Sequence, residues 1–169
     1  MHAIRASAQH AAAIDAIAEL LGKLRIESMF VGSVARAAWL GAEVDSGSID
    51  VLALMNAPQK NQMAMMASNR GFRVEKHEIE QSEELDLVPL NFGDVRIHVL
   101  LASNALYGRM MANAKPAGDI RVAAAEDLAL MLFVAEDAEA VRQLMELPEF
   151  DRRAFDERLI SIGLGAMAE

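Results

Sequence analysis

Apolar positions near the start of the chain recur at helical spacing. Ile14, Ile17, Leu21 and Leu24 lie three or four residues apart, with Asp15, Glu19 and Lys23 on the other faces, which predicts an amphipathic helix from about Ser7 to Leu24. The period then changes. Ser28-Met29-Phe30-Val31 is a short apolar run stopped by Gly32-Ser33, and helix-forming residues return from Val34 to Leu40, so the segment reads as strand, tight turn and short helix. Gly41 closes that helix. A polar loop from Ala42 to Gly47 leads into Ser48-Ile49-Asp50-Val51-Leu52-Ala53-Leu54, apolar enough for a central strand.

Pro58 suits the first turn of a further helix, whose Met63, Met66 and Ala67 face inward before Gly71 ends it. Phe72 to His77 reads as a strand. Leu85 to Leu90 and Val95 to Leu101 read as a hairpin around Asn91-Phe92-Gly93-Asp94, with Pro89 placing the first strand at an edge or a bulge. A helix from about Asn104 to Ala114 follows. Lys115-Pro116-Ala117-Gly118 breaks the chain before a short strand at Ile120-Arg121-Val122. The remainder is helical: Glu126 and Asp127 occupy a first turn, where the macrodipole favours acids, and Leu128, Leu132 and Val134 carry that helix towards Ala138. Val141 to Leu147 and Phe155 to Ile162 continue the pattern on either side of Pro148. Strands in the middle and helices at both ends predict an α+β (mixed α/β) domain with a central mixed sheet of about four to six strands. Residues 1–125 form the expected core, and residues 126–169 a helical extension packed on it as one globular unit.

Composition narrows the chemistry. With 169 residues there is enough chain for one domain and its own core. The absence of Cys excludes thiolate nucleophiles, redox pairs and Cys-rich metal knuckles, and a reducing cytoplasm is the expected setting. Asp15 and Glu19 interrupt the N-terminal Ala-rich run before it reaches signal-peptide length, and the apolar run Leu128 to Ala135 is too short to span a bilayer, so no membrane is expected. Sixteen Lys and Arg against twenty-five Asp and Glu leave a net charge of −9, which argues against bulk binding of nucleic acid. A single nucleotide or small phosphate ligand is not excluded.

Phe30 to Leu54 carries the functional argument. Glycine after a strand lets backbone approach a ligand closely, and the amides that open the next helix form an anion site to which Ser33 adds a hydroxyl. Asp50, flanked by Ile49 and Val51, shares a strand face with Ser48 and Leu52 and has the chemistry to take a magnesium ion that bridges to phosphate oxygens. Gly32, Ser33, Arg36 and Ser48 are therefore candidate phosphate contacts, and Asp50 is the candidate metal ligand. The competing reading makes Ser33 an N-cap and pairs Asp50 with Arg36 or another base. Glu43 and Asp45 in the preceding loop are acids that either join Asp50 or are simply solvated. Arg96 and Arg121 have ion pairing as their ordinary fate, and the 11 Met are adaptable core filler.

Gly32-Ser33, the short helix and Ser46-Gly47-Ser48-Ile49-Asp50-Val51-Leu52 together resemble the signature of the nucleotidyltransferase superfamily with the polymerase-beta-like fold. The resemblance extends to Ile120-Arg121-Val122-Ala123-Ala124-Ala125-Glu126-Asp127-Leu128, which is similar to the strand and helix opening of minimal, stand-alone bacterial-type members, some of them partners in toxin–antitoxin systems. It implies a nucleoside triphosphate carried with magnesium, nucleotidyl transfer to an acceptor hydroxyl, and Asp50 as a catalytic residue; His98, by its own chemistry, is the second catalytic candidate, a metal ligand or general base, or else a hydrogen-bonded structural residue. The departures are informative. Ser48 stands where the family pattern has its first carboxylate, His98 where a third is usual, and Met131 or Leu132 where a Lys is common. Two divalent ions need more negative ligands than one carboxylate and one imidazole supply. The alternative is accordingly a catalytically inactive binding or regulatory module, a homodimer or the partner of another chain. A Ser33–His98–Asp50 hydrolase is a third option resting on residue type alone, because no Gly-x-Ser-x-Gly elbow is present. His2, His10 and His77 have no spacing that marks a site.

Overall fold

The computed structural model describes residues 1–82 and 86–163. Its elements run β1 (Arg5–Ala6), α1 (Ala8–Lys23), β2 (Glu27–Phe30), α2 (Gly32–Leu40), β3 (Glu43–Val44), β4 (Ile49–Leu54), α3 (Ala57–Ser68), β5 (Phe72–Arg73), α4 (Lys76–Ser82), β6 (Leu87–Phe92), β7 (Val95–Leu101), α5 (Ala105–Ala112), β8 (Lys115–Ala117), β9 (Ile120–Val122), α6 (Ala125–Val134), α7 (Ala138–Met145) and α8 (Arg152–Ser161). Seven strands form one mixed sheet in the order β5-β6-β7-β4-β2-β9-β8, and β1 and β3 make a separate parallel pair. This is the expected α+β class, with one strand more in the sheet than four to six. The added strand is β8, which the sequence presents as a break. It lies at the sheet edge, where Pro116 opposite Arg121 has no second neighbour to disappoint.

The centre of the sheet is apolar on both faces because helices cover it. Ile49, Val51, Leu52 and Ala53 of β4 are all buried, as are Ile97 and Val99 of β7. Ile14, Ile17, Leu20 and Leu21 form the buried stripe of α1, as the three-and-four spacing requires, and burying each such side chain stabilises by about 1.5–3 kcal/mol. Trp39 of α2 is buried and donates its indole N–H to the Ala123 carbonyl at 2.9 Å, which fixes α2 to the chain just beyond β9.

Two expectations need correction. The strand read from Phe72 to His77 is only two residues long, and α4 begins at Lys76, because the Glu75 carbonyl accepts from the amides of Glu78 and Ile79 and starts a helical turn. The hairpin strands reach Phe92, so its turn is Gly93-Asp94 alone, and the expected start of its first strand at residue 85 lies outside the described residues. Pro89 sits on a strand flanked by β7 but paired with β5 only at Asn91 and Phe92, so around Pro89 the strand behaves as an edge.

Candidate functional site

Chain geometry brings the Gly-Ser turn and Asp50 together. β2 and β4 are antiparallel neighbours, with Phe30 opposite Val51, and the Val31 amide donates to the Asp50 carbonyl at 3.0 Å. Gly32 follows with φ +56°, a left-handed conformation that glycine adopts without steric penalty. A β-carbon at Gly32 would lie 2.9 Å from Asp50 Oδ2. The backbone therefore packs directly against the carboxylate, and only glycine leaves room for it.

The other side of Asp50 is built by β7. β4 and β7 are parallel with Asp50 in register with His98, so both side chains stand on one face. His98 Nδ1 lies 2.9 Å from Asp50 Oδ1, and the Ser48 hydroxyl donates to the same oxygen at 3.1 Å. A carboxylate oxygen only accepts, so Nδ1 carries the ring proton in this pair. Both side chains keep about a third of their surface in water, 29% for Asp50 and 32% for His98.

Ser33 is not an N-cap. Its hydroxyl donates to the Ser48 carbonyl at 3.1 Å, and α2 has no side-chain cap, its N-cap position being Val31. No side chain caps the amides that open α2. The Ser33 hydroxyl is thus bonded to Ser48 rather than to His98. Arg36 does not pair with Asp50; it reaches Asp137 at 3.3 Å and ties α2 to the start of α7. Arg96 is held by Glu78 at 2.9 and 3.1 Å, and its guanidinium keeps the Glu78 carboxyl below the usual range. Arg121 pairs with Glu27. The structure thus converges Gly32, Ser33, Ser48, Asp50 and His98, and directs Arg36, Arg96 and Arg121 to other partners.

The donor set tests the fit of a two-ion centre. Asp50 is the one carboxylate of the cluster, Oδ1 is already shared by two donors, and among the described residues no group of three His, Asp or Glu is placed to hold a metal. Glu43 and Asp45 are exposed, and among the described residues they join no group of three such side chains placed to hold a metal. Magnesium takes several oxygen ligands in near-octahedral order. The residues present do not fit a two-magnesium site. Cavities of about 460, 310 and 230 Å³ lie elsewhere, and none is lined by the clustered residues.

One residue of this neighbourhood escaped the sequence pattern. His10 is buried, at 7% exposure, and its Nε2 lies 3.1 Å from the carbonyl of Gly47, one residue before Ser48. The available signal was its place on the apolar stripe of α1, four residues ahead of Ile14.

The order of strands and helices is that of a nucleotidyltransferase-like fold. The chain is similar to the crystal structure of ANT(2'')-Ia in complex with adenylyl-2''-tobramycin, at 16% identity and TM-score 0.52 over 93% of this chain and 91% of the other. It is also similar to the solution structure of the antibiotic-resistance factor ANT(2'')-Ia, at 15% identity and TM-score 0.50, covering 92% and 88%. No protein-family profile matches the sequence, and no curated protein does. No helix among the described residues is long and apolar enough to cross a membrane.

Proposed function

We propose that the protein binds a nucleotide or a nucleotide-like phosphate in the crevice of Gly32, Ser33, Ser48, Asp50 and His98, with metal-dependent nucleotidyl transfer weakened or lost. The observation that carries this reading is the direct packing of the uncapped Gly32 turn against Asp50, with His98 across from it. Backbone amides at α2 supply donors for phosphate oxygens, and Ser33 and His10 hold the loop that faces them. Because one similar structure holds an adenylylated product, ATP is the first nucleotide to test.

Calorimetric titration with ATP, GTP, CTP and UTP, each with magnesium and again with EDTA, is expected to give saturable heat with at least one of them. No heat and no thermal shift with any of the four would overturn the reading.

A second reading, an inactive regulatory or interaction module acting as a homodimer or with another chain, is favoured by Ser48, His98 and Met131 at positions that the family pattern fills with charge. Ser48→Asp separates the two. It places a second carboxylate two residues from Asp50 on the same strand face, the arrangement that ion binding requires. Magnesium-dependent transfer appearing in Ser48→Asp and absent from the parent would support loss of catalysis at this site. Parental transfer that Asp50→Ala abolishes would refute that loss.

A further inference from the structure

The first ten residues cross the connection between α2 and β4. The His2 amide donates to Ala38 O at 2.7 Å, the Arg5 guanidinium to Gly41 O at 2.7 Å and the Ser7 amide to Val44 O at 2.9 Å, while β1 pairs with β3 in parallel. His10 ends this series from inside the protein. Its Nε2 donates to the Gly47 carbonyl, which can only accept, and its Nδ1 faces the Ser7 hydroxyl at 2.9 Å. Ser7 in turn accepts the His10 amide at 3.2 Å as the N-cap of α1. Both ring nitrogens are therefore used.

We propose that His10 is a positioning residue for the Asp50–His98 site, acting through the Gly47–Ser48 peptide; this rests on the function proposed above. Gly47 is left-handed, at φ +76°, and nothing lies within 4 Å of where its β-carbon would be, so sterics alone do not hold that peptide in one orientation. The His10 bond does, taking Gly47 O from α1, while Ser33 of α2 holds the following peptide by Ser48 O. That fixed peptide aims the Ser48 hydroxyl at Asp50 Oδ1, the oxygen that also orients the His98 ring. Loss of the His10 bond frees the peptide to rotate and removes one of the two donors from Asp50. A histidine serving only to fill the core would leave the site unchanged when replaced by an apolar side chain of similar size.

The test compares His10→Leu and His10→Asn, which lose the Gly47 bond by different chemistry, with His10→Gln, whose amide reaches about as far as Nε2. Phe155→Leu, in the buried face of α8, serves as a thermal-stability control. Histidine side-chain NMR reads His98 directly in the full chain without any ligand. We expect its ring resonances to shift in His10→Leu and His10→Asn, to return in His10→Gln, and to stay in place in Phe155→Leu. ATP affinity, measured alongside, is expected to weaken roughly three- to tenfold in the first two, the worth of about one net hydrogen bond, with recovery in His10→Gln. Unmoved His98 resonances in whichever of the first two variants folds, or an equal shift in His10→Gln or Phe155→Leu, would overturn the proposal. If the parent binds no nucleotide, the function proposed above fails, while the His98 resonances still decide the role of His10.

Discussion

Gly32→Ala is expected to disrupt the site more than any other single methyl added to this chain. At φ +56° an alanine sits in the left-handed region, at a cost on the order of 1–3 kcal/mol for a non-glycine residue. The new β-carbon also meets Asp50 Oδ2 at 2.9 Å, with Asp50 Cβ and Cγ at 3.5 and 3.6 Å. A carboxylate end could usually turn aside, but Oδ1 is held by both Ser48 and His98, so turning breaks that cluster. The same methyl obstructs the amides proposed to meet the phosphate. Gly93→Ala provides the comparison: its φ of +58° is nearly the same, yet nothing lies within 4 Å of its β-carbon position. Urea unfolding should find both variants destabilised by the common backbone strain, with Gly32→Ala the worse. Nucleotide affinity should be lost in Gly32→Ala and kept in Gly93→Ala. Equal stability losses and unchanged binding in both would mean that the turn is ordinary punctuation between strand and helix.

Much of this architecture is legible in the sequence because its elements announce their own ends. α1, β2, α2 and β4 follow from spacing and from the glycines that bound them, and the Gly32–Asp50 convergence follows once β2 and β4 are adjacent in the sheet. Other features depend on partners far away in the chain. Asp50 and His98 are 48 residues apart, and their contact requires the β4–β7 register, which no local pattern encodes. Arg36 has Asp137 as its partner 101 residues on, so chemical type alone could not choose between that acid and Asp50. Ser33 has the residue type of an N-cap, but the helix opens two residues earlier, at Val31, which leaves Ser33 inside α2 with its hydroxyl donating to the Ser48 carbonyl. His10 shows the same limit from the other side, since a polar residue on an apolar helix face signals a buried partner without naming it. β5 and β8 are short because sheet edges tolerate brief pairing, and brief pairing leaves little periodicity to find.

The Glu126-Asp127 pair illustrates how a first-turn signature can conceal a tertiary role. Both acids reach α8: Glu126 accepts the Asp151 amide at 2.8 Å, and Asp127 meets the Arg158 guanidinium at 2.6 Å with Asn113 at 3.3 Å. The Asp127 side chain is only 2% exposed, whereas Arg158 retains 21%. Burial pushes the Asp127 carboxyl above the 3.8 of a free aspartate, against the pull of Arg158 and Asn113. Arg158→Ala removes the main opposing charge and leaves a buried carboxylate with Asn113 alone, so it should cost about 3–5 kcal/mol near neutral pH. The sign of the pH dependence follows from the raised value. A carboxyl that holds its proton to higher pH in the folded state contributes stability that is full below 3.8 and is lost as pH rises through the folded value. Without Arg158 that folded value climbs further, so the penalty should be smallest in acid and grow towards neutrality. Urea unfolding of parent and variant at about pH 4 and about pH 7 measures it, and a penalty that shrinks as pH rises would contradict the assignment. Asp127→Leu/Arg158→Leu removes both charges together and should recover most of the loss, because the cost lies in the unpaired carboxylate rather than in the absence of an ion pair.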